Sequence, residues 1–137
     1  MKAIVHDQHG AADSVLRLVD REVAEPGGGE VRIRVVVSGV NPTDWKARTG
    51  MYGGEPAAES VPNQDGAGVI DAVGADVEGV AVGDRVWLSL AAFQRPGSGT
   101  AQEYTVVPVD RVFPLPEGAD FDLGASIGSL RSRRTGH

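Results

Sequence analysis

The stretch from Glu30 to Tyr52 limits the possible folds of this chain more than any other. Val31, Ile33, Val35 and Val37 alternate with Arg32, Arg34 and Val36, a period of two that belongs to a strand with one buried face. The two arginines then occupy the solvated side. The run ends at Asn41-Pro42, where the proline ring disfavours the α region for the residue before it. Asn41 is therefore expected to be extended, with its amide projecting from the strand end. Thr43 or Asp44 could accept a free N–H of the following turn, as helix N-caps do. A short helical segment comes next, closed by Gly50, with Tyr52 just beyond. A strand, a cap and a short helix explain these residues as well as a site does, so this stretch alone does not decide between them.

The rest of the chain is cut into short pieces. Nineteen glycines and eight prolines punctuate 137 residues, which suggests many short strands and turns rather than a helical bundle. Lys2 to His6 reads as a first strand, Gly10 to Asp13 as a turn, and Val15 to Val19 as a second, irregular strand. Pro26-Gly27-Gly28-Gly29 is the clearest turn. Gly53 to Ser60 reads as a polar, flexible loop. Val69 to Gly74, Arg85 to Leu88 and Tyr104 to Val107 read as strands, and Val112 to Pro116 as an extended segment. Asp120 or Asp122 is placed to cap a helix beginning near Phe121. Strands this short, mostly not alternating with helices, predict an antiparallel barrel or curled sheet in one domain.

Several function classes drop out early. The formal net charge of −6 argues against nucleic acid as a partner, which needs a basic face. Without cysteine, disulfides and thiolate zinc sites are excluded. His6 and His9 share a three-residue spacing, but no further ligand is fixed beside them, so no metal site is expected there. No apolar run approaches the roughly 20 residues of a membrane span, and the amino terminus lacks a signal-peptide core. The expectation is a soluble cytoplasmic protein.

Two glycine patterns imitate nucleotide-binding fingerprints. Gly66-Ala-Gly68 lacks the third glycine and enters a strand, whereas a phosphate-cradling loop leaves a strand and opens a helix. Gly97-Ser-Gly99 fails the same test. Asp65, Asp71, Asp76 and Asp84 are conceivable acid–base or metal groups. For Asp76 and Asp84, turn chemistry beside glycine is the simpler explanation. Trp45 and Trp87 read as packing residues. Tyr52 carries a phenol that could donate a proton if held over a substrate.

Taken together, Met1-Lys-Ala-Ile, Gly39-Val-Asn-Pro-Thr-Asp-Trp-Lys, Pro62 with Asp65-Gly-Ala-Gly68, Val82-Gly-Asp-Arg-Val-Trp87, Gly99-Thr-Ala-Gln-Glu-Tyr104 and Pro114-Leu-Pro-Glu-Gly118 with Gly124-Ala-Ser form an ordered set. Over about residues 1–126 this set resembles the N-terminal, GroES-like domain of the medium-chain dehydrogenase/reductase superfamily. It is most similar to the zinc-independent quinone oxidoreductase, ζ-crystallin-like branch. The resemblance implies a mainly β fold, a partly open barrel of short strands with one or two short helices. Zinc alcohol dehydrogenases place a Cys where this chain has Asn41 and a His-Glu pair where it has Gln64-Asp65, so the resemblance implies a reductase without zinc. It also implies NADPH as hydride donor and a quinone or enone as acceptor. Asn41 and Tyr52 become the expected catalytic residues, and Asn41, Pro42 and Thr43 the expected contacts to the cofactor. With zinc gone, carbonyl polarisation falls to hydrogen bonds or water.

The departure from the pattern comes after Gly124-Ala-Ser126. Relatives continue through an apolar helix into a Rossmann domain, whereas here the sequence becomes Gly128-Ser-Leu-Arg-Ser-Arg-Arg-Thr-Gly-His137. Arg131, Arg133 and Arg134 set this segment apart from a body of ten basic and nineteen acidic residues. Residues 127–137 are expected to be an atypical basic tail, disordered or loosely packed, of the kind a truncation or frameshift leaves. The main NADPH-binding domain is then absent from these residues, and the domain is expected to be inactive alone. The expected partners are a separate polypeptide that brings the cofactor domain, or further copies of the chain associating through the uncovered face. The alternative is a non-catalytic binding or assembly module that uses the face left uncovered.

Overall fold

In the computed structural model, residues 1–54, 57 and 59–134 are described. Strand β1 (Lys2–Val5) pairs antiparallel with β2 (Arg17–Asp20). The one-turn helix α1 (Ala12–Val15) occupies the connection, where a turn was expected. The main sheet has five strands, all antiparallel: β3 (Glu30–Gly39), β4 (Asp65–Val73), β5 (Arg85–Leu88), β6 (Tyr104–Pro108) and β7 (Val112–Pro114), in the order β6-β3-β4-β5-β7. Helices α2 (Pro42–Arg48) and α3 (Phe121–Arg134) complete the fold. Neither sheet closes on itself, so the mainly β, partly open barrel predicted from the sequence is what the chain forms.

The two faces of the main sheet carry separate cores. Val31, Ile33, Ile70, Val86, Leu88, Val107 and Val112 are buried on one side. Ala67, Trp87 and Leu115 are buried on the other, together with Ala125 of α3. Trp87 points away from its neighbours Val86 and Leu88 because successive strand residues face opposite ways. It stacks on Phe113 at 4.4 Å between ring centroids, the packing role expected of it.

Strand β3 breaks its own alternation. Its pairing with β4 slips between Val35, opposite Gly68, and Val37, opposite Ala67. The extra residue, Val36, forms a bulge, and a bulge re-aims the side chains beyond it. Val35 consequently packs with the first core and Val37 with the second. The sequence placed Val31, Ile33, Val35 and Val37 on one face. The bulge sends Val37 to the other, under α3.

Helix α3 lies close to the sheet because its inner face is nearly bare. A Cβ on Gly124 would sit 2.8 Å from a Leu115 methyl and 3.1 Å from the Ala67 methyl. Asp120 starts the helix by accepting the N–H of Leu123 at 2.8 Å. The helix continues to Arg134, through residues for which the sequence reading expected no order. Its Gly128 is buried. Residues 135–137, and the side chains of Arg131, Arg133 and Arg134, lie outside what is described, as does part of the loop expected between Gly53 and Ser60.

Candidate functional site

Strand β3 delivers Asn41 to the edge of the sheet in the extended conformation the following proline demands, with φ −123° and ψ 160°. Asn41 is the N-cap residue of α2, and Pro42 takes the first helical position, where its missing N–H costs nothing. Asp44 then reaches backwards: its carboxylate accepts the Asn41 N–H at 2.6 Å. That is the returning arm of a capping box. The sequence reading had Thr43 or Asp44 accepting from the turn ahead.

Two carboxylates meet behind Asn41. Asp44 is 8% exposed and Asp65, the first residue of β4, is 4% exposed. Burial pushes the Asp44 carboxyl above its ordinary value. The N–H groups of Asn41 and Gln64 pull it back down, and the nearby Asp65 adds to the rise. Asp65 in turn accepts the Asn41 side-chain N–H, Nδ2 to Oδ2, at 2.7 Å. Its peptide carbonyl accepts the Thr100 hydroxyl at 2.7 Å, Thr100 Oγ1 lies 2.7 Å from Ser38 Oγ, and that hydroxyl accepts the Asn63 amide at 2.9 Å. This polar run joins β3, β4 and the loop before β6. The sequence reading did not foresee it. The Asn-Pro-Thr-Asp spacing was the available signal, since a capping box needs an acid three residues after the cap.

Asn41 lines a groove of about 370 Å³ between the end of β3 (Val37, Gly39, Val40) and the first turns of α3 (Asp122, Ala125, Ser126). Thr43 faces a different recess, of about 300 Å³, with Asp44, Gln64, His6 and His9. Tyr52 stands apart. It is 62% exposed, on the turn after α2, and does not line the Asn41 groove. The structure thus couples Asn41 to Asp44 and Asp65 but does not bring Tyr52 to them. Gly50, at φ +85°, ends α2 as expected, and its Cα packs so close to His9 that a Cβ would lie 2.6 Å from the ring. Trp45, read as a packing residue, is largely exposed on α2.

Among the described residues, no three His, Asp or Glu side chains are placed to hold a metal ion. No described helix is long and apolar enough to cross a membrane. The glycines that imitate a phosphate loop serve packing instead: a Cβ on Gly68 would overlap the Arg34 carbonyl oxygen, and one on Gly99 the carbonyl oxygens of Val61 and Pro62.

Residues 27–117 match the family model described as "Alcohol dehydrogenase GroES-like domain". The chain belongs to that family. This GroES-like domain is 35% identical over 128 residues to the quinone oxidoreductase of Homo sapiens, a match covering 93% of this chain and 37% of that protein. Over 105 residues it is 37% identical to the mitochondrial enoyl-[acyl-carrier-protein] reductase of Arabidopsis thaliana, covering 77% of this chain and 27% of that one. Among solved structures, the Escherichia coli quinone oxidoreductase complexed with NADPH superposes with a TM-score of 0.82 at 26% identity, over 92% of this chain and 36% of that one. The match therefore spans between about a quarter and little more than a third of the length of such relatives.

Proposed function

We propose that this domain is the substrate side of an NADPH-dependent quinone or enone reductase, inactive until a dinucleotide-binding domain completes the cleft. The observation that carries this reading is Asn41: its side-chain amide is held by buried Asp65 and its backbone N–H by buried Asp44, on the rim of a groove that also takes in Val37, Val40, Asp122 and Ser126. The chain belongs to a family whose relatives are named for reducing quinones and enoyl thioesters. Both acceptors are electron-poor alkenes conjugated to a carbonyl.

This reading assigns the groove of about 370 Å³ beside Asn41 to the flat nicotinamide end of the cofactor. In this reading Asn41 holds the nicotinamide or the acceptor carbonyl through its amide, and Pro42 and Thr43 shape the cofactor side. Tyr52 orients substrate or closes the cleft, which from its exposed position requires the turn after α2 to fold inward. Bound NADPH supplies the hydride. The chain's own contribution is a preorganised hydrogen bond where negative charge develops.

The test joins this chain to the cofactor domain of a structurally similar quinone oxidoreductase and follows NADPH loss with duroquinone as acceptor. Activity in the chimera and none in the chain alone is the expected result, with Asn41→Ala lowering kcat by about 10²-fold. Tight NADPH binding by the isolated 137 residues, read by calorimetry, would overturn the division of labour. The second reading, a non-catalytic assembly module, draws on one observation. Val40, Trp45, Met51 and Tyr52 are all exposed apolar or aromatic side chains on or beside α2, with Val40 at 75%. Sedimentation at micromolar concentration separates the two, because a clean monomer removes the case for self-assembly.

A further inference from the structure

Asp65 is among the least exposed polar residues of the chain, at 4%, yet one of its oxygens is spent on a single side chain, Asn41. A carboxylate offers only acceptors, whereas an asparagine amide has donors on nitrogen and an acceptor on oxygen. Contact with Asp65 therefore dictates which way round the Asn41 amide sits. The carboxylate is itself confined from above by α3. A Cβ on Gly128 would come within 2.6 Å of Asp65 Oδ1 and 3.0 Å of Ser89 Oγ, so only glycine lets the helix pass over it.

We propose that Asp65 is a positioning residue, and that the bare patch of α3 at Gly128 keeps its carboxylate in place to hold the Asn41 amide in one orientation at the groove. The proposal rests on the reading of Asn41 as a ligand-facing group. An amide free to flip would present donor and acceptor alternately to a bound carbonyl. With one Nδ2 hydrogen given to Asp65, Asn41 presents one fixed pattern, its second N–H and its Oδ1, and part of the order a ligand would otherwise impose is already in place.

The chain has only two asparagines, Asn41 and Asn63, so the side-chain amide signals of a ¹⁵N-labelled sample assign readily. In the wild type, an Asn41 side-chain proton is expected to exchange about tenfold more slowly than the amide protons of exposed Gln8. Asp65→Asn keeps the shape but can donate as well as accept, and should split or broaden the Asn41 pair while the backbone spectrum stays folded. Gly128→Ala should move the same pair by pressing on the carboxylate, and leave the Gln8 pair where it was. Exchange of the wild-type Asn41 pair at the rate of Gln8 overturns the proposal even if neither variant folds. So does an Asn41 pair that is unmoved in a folded Asp65→Asn. Titration with duroquinone tests the underlying reading separately. If the Asn41 pair is protected but indifferent to the quinone, Asp65 still positions the amide and the assignment of the groove to substrate fails.

Discussion

Glycine at 68 is a requirement of the backbone, not of a ligand. Strands β3 and β4 approach there so closely that any Cβ would overlap the Arg34 carbonyl oxygen. Gly68→Ala should therefore destabilise the domain by more than about 3 kcal/mol in chemical unfolding, since the clash is with backbone that cannot yield without opening the sheet. Gly28→Ala, where a Cβ meets open space, should stay within about 0.5 kcal/mol of wild type. Glu30 gives a pH-dependent prediction. The N–H of Gly27 and then the Arg95 guanidinium, 2.6 Å away, hold its carboxyl below the ordinary 4.5. A depressed acid contributes stability that is present above its unfolded value and lost as pH falls through its folded one. Wild type should exceed Glu30→Gln by about 1 kcal/mol at neutral pH. The gap should close as the medium is acidified below the usual glutamate range, and urea midpoints at the two pH values decide it. A gap that is constant with pH would mean the carboxylate charge is not what Gly27 and Arg95 recognise.

At the scale of elements, helix α3 depends on a cap that the sequence announces. Asp120 accepts the Leu123 N–H, and Asp120→Ala should cost about 1 kcal/mol. Asp122→Ala, lacking that bond among the described residues, should cost less, and equal losses would deny the cap its role. Much of this level was readable in advance. The period-two run gave β3, Asn-Pro gave the strand end, and Gly50 gave the end of α2, because each is a local rule enforced by a single residue. What escaped was non-local. The bulge at Val36 depends on how β4 lies alongside, so no pattern within β3 reveals that Val37 changes sides. The bond from Asn41 to Asp65 spans 24 residues, and the capping spacing exposes only its Asp44 half. Tyr52 was drawn to the site by resemblance, yet local geometry leaves it on the surface. The segment from residue 127, expected to be disordered or loosely packed, has its backbone in α3 as far as Arg134, while its side chains from Ser129 onwards lie outside the described residues. Small residues at 124, 125 and 128 let the helix approach the sheet closely, with Phe121 and Ile127 packing beside them.

For the molecule as a whole, α3 is a lid on the second core. It covers Ala67, Trp87 and Leu115, so a chain ending at Asp120 would leave that side of the sheet uncovered. Such a truncation should lose more than about 3 kcal/mol or unfold at physiological temperature. It should also bind a hydrophobic dye that the full chain excludes. A truncated chain with an unaltered thermal midpoint would show that the first core alone sustains the sheet.

Strand β1 receives part of its support from a distant region. The Ile4 N–H donates to the Ala101 carbonyl at 2.9 Å, and the Glu103 N–H to the Lys2 carbonyl at 3.1 Å. On a ribosome, β1 must therefore wait until residues 101–103 have left the exit tunnel. During that interval Val5, which ends wholly buried, has only the β2 hairpin to shelter it, and an isolated hairpin is marginal in water. The apolar face of β1 thus gains its full cover only when residues 101–103 are free to pair with it. A pause in translation prolongs that exposure for as long as residues 101–103 are unmade or still held inside the tunnel.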